Sequence, residues 1–294
     1  MEHYLEAFAQ WQTRLGYSPA TVRSNTQRLQ QFFNWLKDEQ INKVSHISKE
    51  TIARYQEHLH TRKNKVRGGG LSSGTIDNHV VNLQLFNTYL QKHDQESLPL
   101  EELTQPPRES VTRTILTQAE IKKLYEATDD SPHGYRDRAM LGIYYGCGLR
   151  LSEGLALMLE DIDIKRNYVH VKKGKGNKER YVPMNKRIKN DLTDYIHYAR
   201  SWFLDNAYPC FKHITNHLFV TRMGSPCKPM ILNVRLRRLA EEANINKVIS
   251  LHCLRHSIAT HLLQNGLSLE QIAQFLGHSS LESTQIYTHI VNEL

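Results

Sequence analysis

Between Leu103 and Thr114 the chain reads LTQPPRESVTRT, a stretch without apolar periodicity whose Pro106-Pro107 pair suits neither a helix interior nor an inner strand. Any fold must therefore be built on either side of this break. At 294 residues the chain is also long for one core, because single hydrophobic cores stop growing at roughly 250–300 residues. The expectation is an N-terminal domain over 1–103, a linker over 104–113 and a second domain over 114–294.

Ahead of the break the pattern is helical throughout. Leu5, Phe8, Trp11 and Leu15 form one apolar stripe. Ser18 followed by Pro19 reads as an N-cap with proline at the first helical position, and Val22, Leu29, Phe32, Phe33 and Leu36 continue that helix. Ser48 caps a third run carrying Ile52, Tyr55 and Leu59, and Ser73 precedes a fourth with Ile76, Val80, Leu83, Phe86 and Leu90. About four short helices of this kind make a small bundle.

Beyond the break, Thr117 and Glu120 form a capping box. A helix carrying Arg138, Ala139, Leu141 and Ile143 runs into Tyr144-Tyr145-Gly146-Cys147-Gly148-Leu149-Arg150. The β signal lies in Asp163 to Val171 and Arg180 to Pro183, a hairpin or small sheet whose turn is KKGKGNK. From Leu192 the helical pattern returns to the end. The fold class expected is mainly α with a small β-sheet.

Charge narrows the partner. Lys165, Arg166, Lys172, Lys173, Lys175, Lys178, Arg180, Lys186, Arg187 and Lys189 face a single acid, Glu179, within their segment. Arg62, Lys63, Lys65 and Arg67 form a second cluster before Gly68-Gly69-Gly70. A charge run is often only a solvated face. In a chain of net charge +8 and pI near 9.2, two basic loops point instead to phosphates.

Other classes fall away. A composition of 39% hydrophobic and 23% charged residues is that of a globular chain, not a disordered one. The opening MEHYLEAFAQWQTRLGY lacks the basic and apolar regions of a signal peptide, and no stretch approaches the roughly 18 apolar residues of a membrane span. A cytoplasmic protein with no membrane partner is expected. Cys147, Cys210, Cys227 and Cys253 form no CxxC pair and read as reduced thiols. The sixteen histidines are scattered; His256 and His261 read as packing or phosphate-adjacent groups, since no carboxylate or cysteine completes a metal site around them. GKGNK lacks the spacer and the following Ser/Thr of a P-loop.

The chemistry concentrates near the C-terminus. His252 and Arg255, three apart in LHCLRHSIATHLLQNG, project from one side of a helix that Gly266 ends. Ser268 and Gln271 box the next helix, which stops at Leu276-Gly277, directly before His278. Ser279 and Glu282 open a further short helix presenting Tyr287. Two such reversals could gather His252, Arg255, His278 and Tyr287 into one pocket. Guanidinium forks suit a phosphate, and imidazoles donate to phosphate oxygens or handle protons near neutral pH. A tyrosine hydroxyl, with an ordinary pKa of about 10, attacks phosphorus only in cationic surroundings or beside a base.

Taken together these residues resemble the tyrosine recombinase (phage-integrase-like) family, its Xer-type branch most closely. Gly148-Leu149-Arg150-Leu151-Ser152-Glu153 resembles the family's opening signature, with Arg150 as the first catalytic arginine. LHCLRHSIATHLL matches the HxxR box at His252 and Arg255, LGHSS supplies His278, and QIYTH places the nucleophile at Tyr287. In GKGNKER the hairpin lysine falls on Lys175; chemistry alone leaves Lys172, Lys173 and Lys178 open beside it. SPATVRSNTQRLQQFFNWL resembles the family's helical core-binding domain, so the likeness runs from end to end.

The resemblance implies a SAM-like N-terminal bundle and an α+β catalytic domain. It implies attack by Tyr287 to give a 3′-phosphotyrosyl link, with charge stabilised by Arg150 and Arg255, Lys175 as general acid, His252 assisting at the tyrosine and His278 on the phosphate. Neither metal nor nucleotide cofactor is called for. Glu153 is expected to be structural, orienting Arg150. The implied partners are double-stranded DNA and further copies of the chain, a dimer on one site and a tetramer in the synapse, or a paralogous recombinase. A type IB topoisomerase-like activity and a non-catalytic DNA-binding protein are the competing readings; the second leaves the arginine, lysine, histidine and tyrosine set unexplained.

Overall fold

Among the described residues, four α-helices build the N-terminal part: α1 (Glu2–Arg14), α2 (Pro19–Asp38), α3 (Lys49–Thr61) and α4 (Ser73–Lys92). The computed structural model describes residues 1–64, 68–93, 97–101, 103–104, 114–172, 179–207 and 215–277. Within it the chain divides into two compact units, Met1–Val111 and Thr112–Leu294.

In the first unit, helix starts follow side-chain capping. Ser18 Oγ accepts from the Thr21 N–H at 3.2 Å with Pro19 at the first turn. Ser48 and Thr51 form a reciprocal box. The fourth helix starts one residue earlier than the sequence pattern suggests. Ser72, not Ser73, has the extended backbone of a cap and accepts from the Thr75 N–H at 3.3 Å. The core is aromatic: Phe8 and Phe86 meet edge to face at 5.5 Å, and Phe32 and Tyr55 at 4.7 Å. Phe8, Phe32 and Phe86 are fully buried, each such ring contributing roughly 1.5–3 kcal/mol. Tyr55 Oη lies 3.1 Å from His79 Nδ1. Burial, then the charges of Arg62 and Arg28, pushes His79 down to about 4, so this buried pair is uncharged near neutrality.

The second unit starts with α5 (Gln118–Glu126), boxed by Thr117 and Glu120, and α6 (Pro132–Leu141). The helix does not simply run on through Ile143. It opens into a π-helical turn, Gly142–Gly146, closed by the Cys147 N–H on Gly142 O at 2.8 Å. Helix α7 (Leu151–Ala156) follows, then strands β1 (Ile162–Asp163), β2 (Tyr168–Val171) and β3 (Arg180–Pro183). They form one antiparallel sheet in the order β1-β2-β3, with Val169 opposite Val182. The Asp163–Val171 segment is thus two strands rather than one, turned back at Asn167, which takes φ of 60°.

Helix α8 (Lys186–Asp194) passes through a second π-helical turn, Tyr195–Arg200, into α9 (Ser201–Asp205). Helices α10 (Pro229–Glu242), α11 (Leu251–Gln264) and α12 (Leu269–Leu276) complete the described unit. Val169, Val182, Tyr144, Tyr195, Phe203, Leu236 and Leu254 share one core. Helix α11 therefore packs against the turn that leads to Arg150, and α12 packs against α11. Among the described residues no helix is long and apolar enough to cross a membrane.

Candidate active site

The π-helical turn delivers the chain to Gly148, whose φ of +61° belongs to the left-handed region that glycine enters without steric cost. A Cβ there would lie 2.8 Å from Leu276 Cδ2, so the position is closed to larger residues on two counts. Leu149 is fully buried and anchors the segment. Arg150 then precedes α7, and Glu153, in that helix's first turn, folds back on it. The Glu153 carboxylate accepts from the Arg150 backbone N–H at 2.9 Å and from Arg150 Nη1 at 2.7 Å.

Two more arginines converge on the same carboxylate. Arg180, at the start of β3, donates from Nη2 to Oε2 at 2.8 Å and from Nη1 to Oε1 at 3.2 Å. Arg255, on α11, holds Nη1 3.8 Å from Oε2 and donates to Gly148 O. Burial acts to raise the Glu153 pKa, but hydrogen bonds and charge from Arg180 and hydrogen bonds from Arg150 prevail and hold it at about 2. One carboxylate among three guanidiniums leaves the cluster cationic, as a phosphate site requires.

The same arginines fasten the end of α12. Its last carbonyls have no partner within the helix and form the negative end of its dipole. Phe275 O accepts from Arg180 Nε at 3.3 Å, Leu276 O from Arg255 Nη2 at 2.9 Å, and Gly277 O from Arg150 Nη2 at 2.9 Å. Three consecutive carbonyls thus receive three arginines from three separate segments. Gly277 ends the helix at φ +67°, and a Cβ there would sit 2.8 Å from Arg180 Nη1 and 2.9 Å from its Cδ. Gly277→Ala is therefore expected to cost about 1–3 kcal/mol, read from the denaturant midpoint. An alanine variant as stable as the parent would remove the left-handed cap as a constraint on this site.

His252, one turn before Arg255 on α11, keeps solvent access. Partial desolvation, then the positive charges of Arg255 and Arg150, lowers its pKa below the ordinary imidazole range. It is consequently neutral near pH 7 and able to accept a proton.

The structure therefore brings together Arg150, His252 and Arg255, and makes Glu153 the shared counter-ion of Arg150, Arg180 and Arg255. Lys175, His278 and Tyr287 lie outside the described residues. Of the other hairpin lysines, Lys172 is bound by Asp161 at 2.8 Å and Glu160 at 2.5 Å. Hydrogen bonds to Asp161 and then Glu160 raise its pKa well above the usual lysine range, which suits a structural tie better than a proton donor. His261 is buried with Nδ1 2.9 Å from Tyr145 Oη, a packing role.

Arg180 is the residue that sequence reasoning missed, having counted it only among the basic residues of its segment. The signal was present in strand alternation: Arg180 shares a face with buried Val182, so its guanidinium points inward and needs a carboxylate.

Comparison with known proteins identifies the family. The Phage integrase family model matches residues 114–293. Tyrosine recombinase XerC 2 of Ralstonia nicotianae is 32% identical over 293 residues, 99% of this chain and 82% of that protein. Tyrosine recombinase XerD of Staphylococcus haemolyticus is 30% identical over 293 residues, 99% of this chain and 95% of that protein. In fold, the chain resembles XerH site-specific recombinase in a post-cleavage complex with palindromic difH substrate, at a TM-score of 0.71 and 24% identity over 93% of this chain and 77% of that one. With a family model spanning its second unit and relatives aligned along its whole length, the chain belongs to the phage integrase family, among the Xer-like tyrosine recombinases, enzymes of site-specific DNA recombination.

Proposed function

We propose that Tyr287 cleaves DNA by attacking the scissile phosphodiester, forming a 3′-phosphotyrosyl link and releasing a 5′-hydroxyl, and that the reverse attack rejoins the strands. The observation that carries this reading is the convergence of Arg150 and Arg255 beside His252, at the end of α12 and one residue before His278. Two guanidiniums fixed before substrate arrives can stabilise the charge that grows on the non-bridging oxygens without reorganising. Neutral His252 takes part in proton transfer at the tyrosine, His278 hydrogen-bonds the phosphate, and Lys175 protonates the leaving 5′-oxygen. The covalent link conserves the energy of the phosphodiester, so rejoining requires no nucleotide.

The N-terminal helical unit, residues 1–103, serves as a core-binding DNA domain, joined by a linker at 104–113 to a catalytic domain over 114–294. Double-stranded DNA is the partner, with a dimer on one site and a tetramer in the synapse, made of this chain alone or with a paralogous recombinase, acting in the cytoplasm. Resolution of chromosome or plasmid dimers and integration or excision of a mobile element use the same chemistry.

Trapping tests the reading. The full chain is incubated with fragmented host DNA, covalent adducts are isolated under denaturing conditions, and both the DNA ends and the modified peptide are sequenced. A recurrent site carrying a 3′-phosphate on the peptide containing Tyr287 is expected. Absence of any adduct, or efficient relaxation of arbitrary supercoiled DNA, would count against a site-specific recombinase acting through Tyr287.

A further inference from the structure

We infer that Arg180 is a positioning residue of the cleavage site: clamped to the Glu153 carboxylate and to the Phe275 carbonyl, it holds Arg150 and the end of α12 in register. The inference rests on the reading of Arg150 and Arg255 as the phosphate-stabilising pair.

The geometry is specific. Glu153 Oε1 accepts from Arg150 Nη1 at 2.7 Å and Arg180 Nη1 at 3.2 Å, while Oε2 accepts from the Arg150 backbone N–H at 2.9 Å and Arg180 Nη2 at 2.8 Å. The two arginines thus share both oxygens, and each limits how far the carboxylate can turn. Arg180 itself is only 11% exposed at its side chain, and its Nε and both Nη atoms donate within the protein. It is poorly placed to meet a phosphate from solvent, so its effect runs through its partners.

Removing Arg180 would free one side of the Glu153 carboxylate. Arg255 Nη1, 3.8 Å from Oε2, is then the guanidinium not yet hydrogen-bonded to the carboxylate that could close on it. That movement would draw Arg255 away from Gly148 O and Leu276 O, the two carbonyls that fix its fork. Phe275 O would meanwhile lose its Arg180 donor just ahead of His278. One substitution would therefore disturb both phosphate-stabilising arginines without touching either.

The electrostatics agree with the geometry. Arg180 supplies the largest of the interactions that lower the Glu153 pKa. The groups facing that carboxylate are Arg150 on its own turn, Arg180 from the sheet and Arg255 from α11, with His252 beside the charges of Arg255 and Arg150. Without Arg180 the carboxyl protonates at a higher pH, and Arg150 loses its counter-ion as pH falls. Cleavage by the variant should accordingly fail at a higher pH than cleavage by the parent.

The test uses the full chain and a nicked duplex carrying the site recovered from trapped adducts, with single-turnover adduct formation and DNA affinity measured separately. Arg180→Ala is expected to slow adduct formation by roughly 10–100-fold, the range for losing a partner that orients a reacting group, while affinity changes less than about threefold. Arg180→Lys, which keeps charge but not the fork, should recover part of the rate and shift the acidic limb of the pH profile upward. In a Glu153→Gln background, Arg180→Ala should cost severalfold less than in the parent, because the charged path through the carboxylate is cut and the hold on Phe275 O is what remains.

Parental rate and pH profile in both Arg180 variants would overturn the inference, as would the full Arg180→Ala loss persisting in the Glu153→Gln background. Should Arg180→Ala fail to fold, the Arg180→Lys rate and pH profile decide the matter by the same criteria. Absence of adduct with the parent chain would instead fell the proposed cleavage chemistry, which keeps the two failures distinct.

Discussion

Tyr287→Phe is expected to abolish the covalent protein–DNA adduct while leaving DNA binding within about twofold of the parent. The substitution keeps the ring and removes only the hydroxyl oxygen, the atom proposed to bond to phosphorus. Arginines that stabilise a transition state cannot replace a missing nucleophile, and removal of a nucleophile from an acting unit costs on the order of 10⁶-fold in other enzymes. Binding draws on basic residues across the chain, whose net charge is +8, and a lost hydroxyl does not alter that attraction. A nicked duplex, from which the short cleaved strand diffuses away, gives the most sensitive readout. Adduct at the parental level in the Phe variant would move the nucleophile to another residue.

The second large effect belongs to Glu153. Glu153→Ala should lower the stability of the second unit by about 3–5 kcal/mol, the cost of leaving buried charge without its partner. In a domain of this size that corresponds to a fall in Tm of roughly 10 °C. Its side chain is 1% exposed and those of Arg150, Arg180 and Arg255 are 19%, 11% and 5% exposed, so water offers the arginines little compensation. Adduct formation should fall by about a hundredfold or more, since Arg150 loses its anchor.

The pH dependence follows from the direction of the Glu153 shift. Its folded-state pKa, about 2, lies below the ordinary 4.5. The stabilisation it provides is thus complete above about 4.5 and lost as pH falls toward about 2. Glu153→Ala should flatten that part of the acid-unfolding curve, measured by circular dichroism at constant ionic strength. A variant with parental Tm and an unchanged acid limb would show that the three arginines need no shared counter-ion.

Much of the fold was legible from local signals, because caps and periodicity depend on neighbouring residues. Ser18 with Pro19, Ser48, Thr117 with Glu120, and Ser268 with Gln271 all cap where local chemistry requires. Ser72 and Ser73 could not be separated that way, since both are serines and only the backbone direction distinguishes a cap from a first helical residue. The π-helical turn at Gly142–Gly146 was likewise hidden. Its extra residue is accommodated by packing against α8 and α11, which no apolar spacing within the segment reveals.

The sequence by itself supplied the candidate inventory and its order: Arg150, Lys175, His252, Arg255, His278 and Tyr287 stand out as a set because each sits in a short motif that resembles the family's. Tertiary structure alone decided how the described members are held. Glu153 serves three arginines drawn from α7's entrance, β3 and α11, and the end of α12 is pinned by those same side chains. The physical reason is range. Caps and motifs act over a few residues, whereas a buried carboxylate takes whichever cations the fold brings within reach, and Arg180 reaches Glu153 from 27 positions away in the sequence.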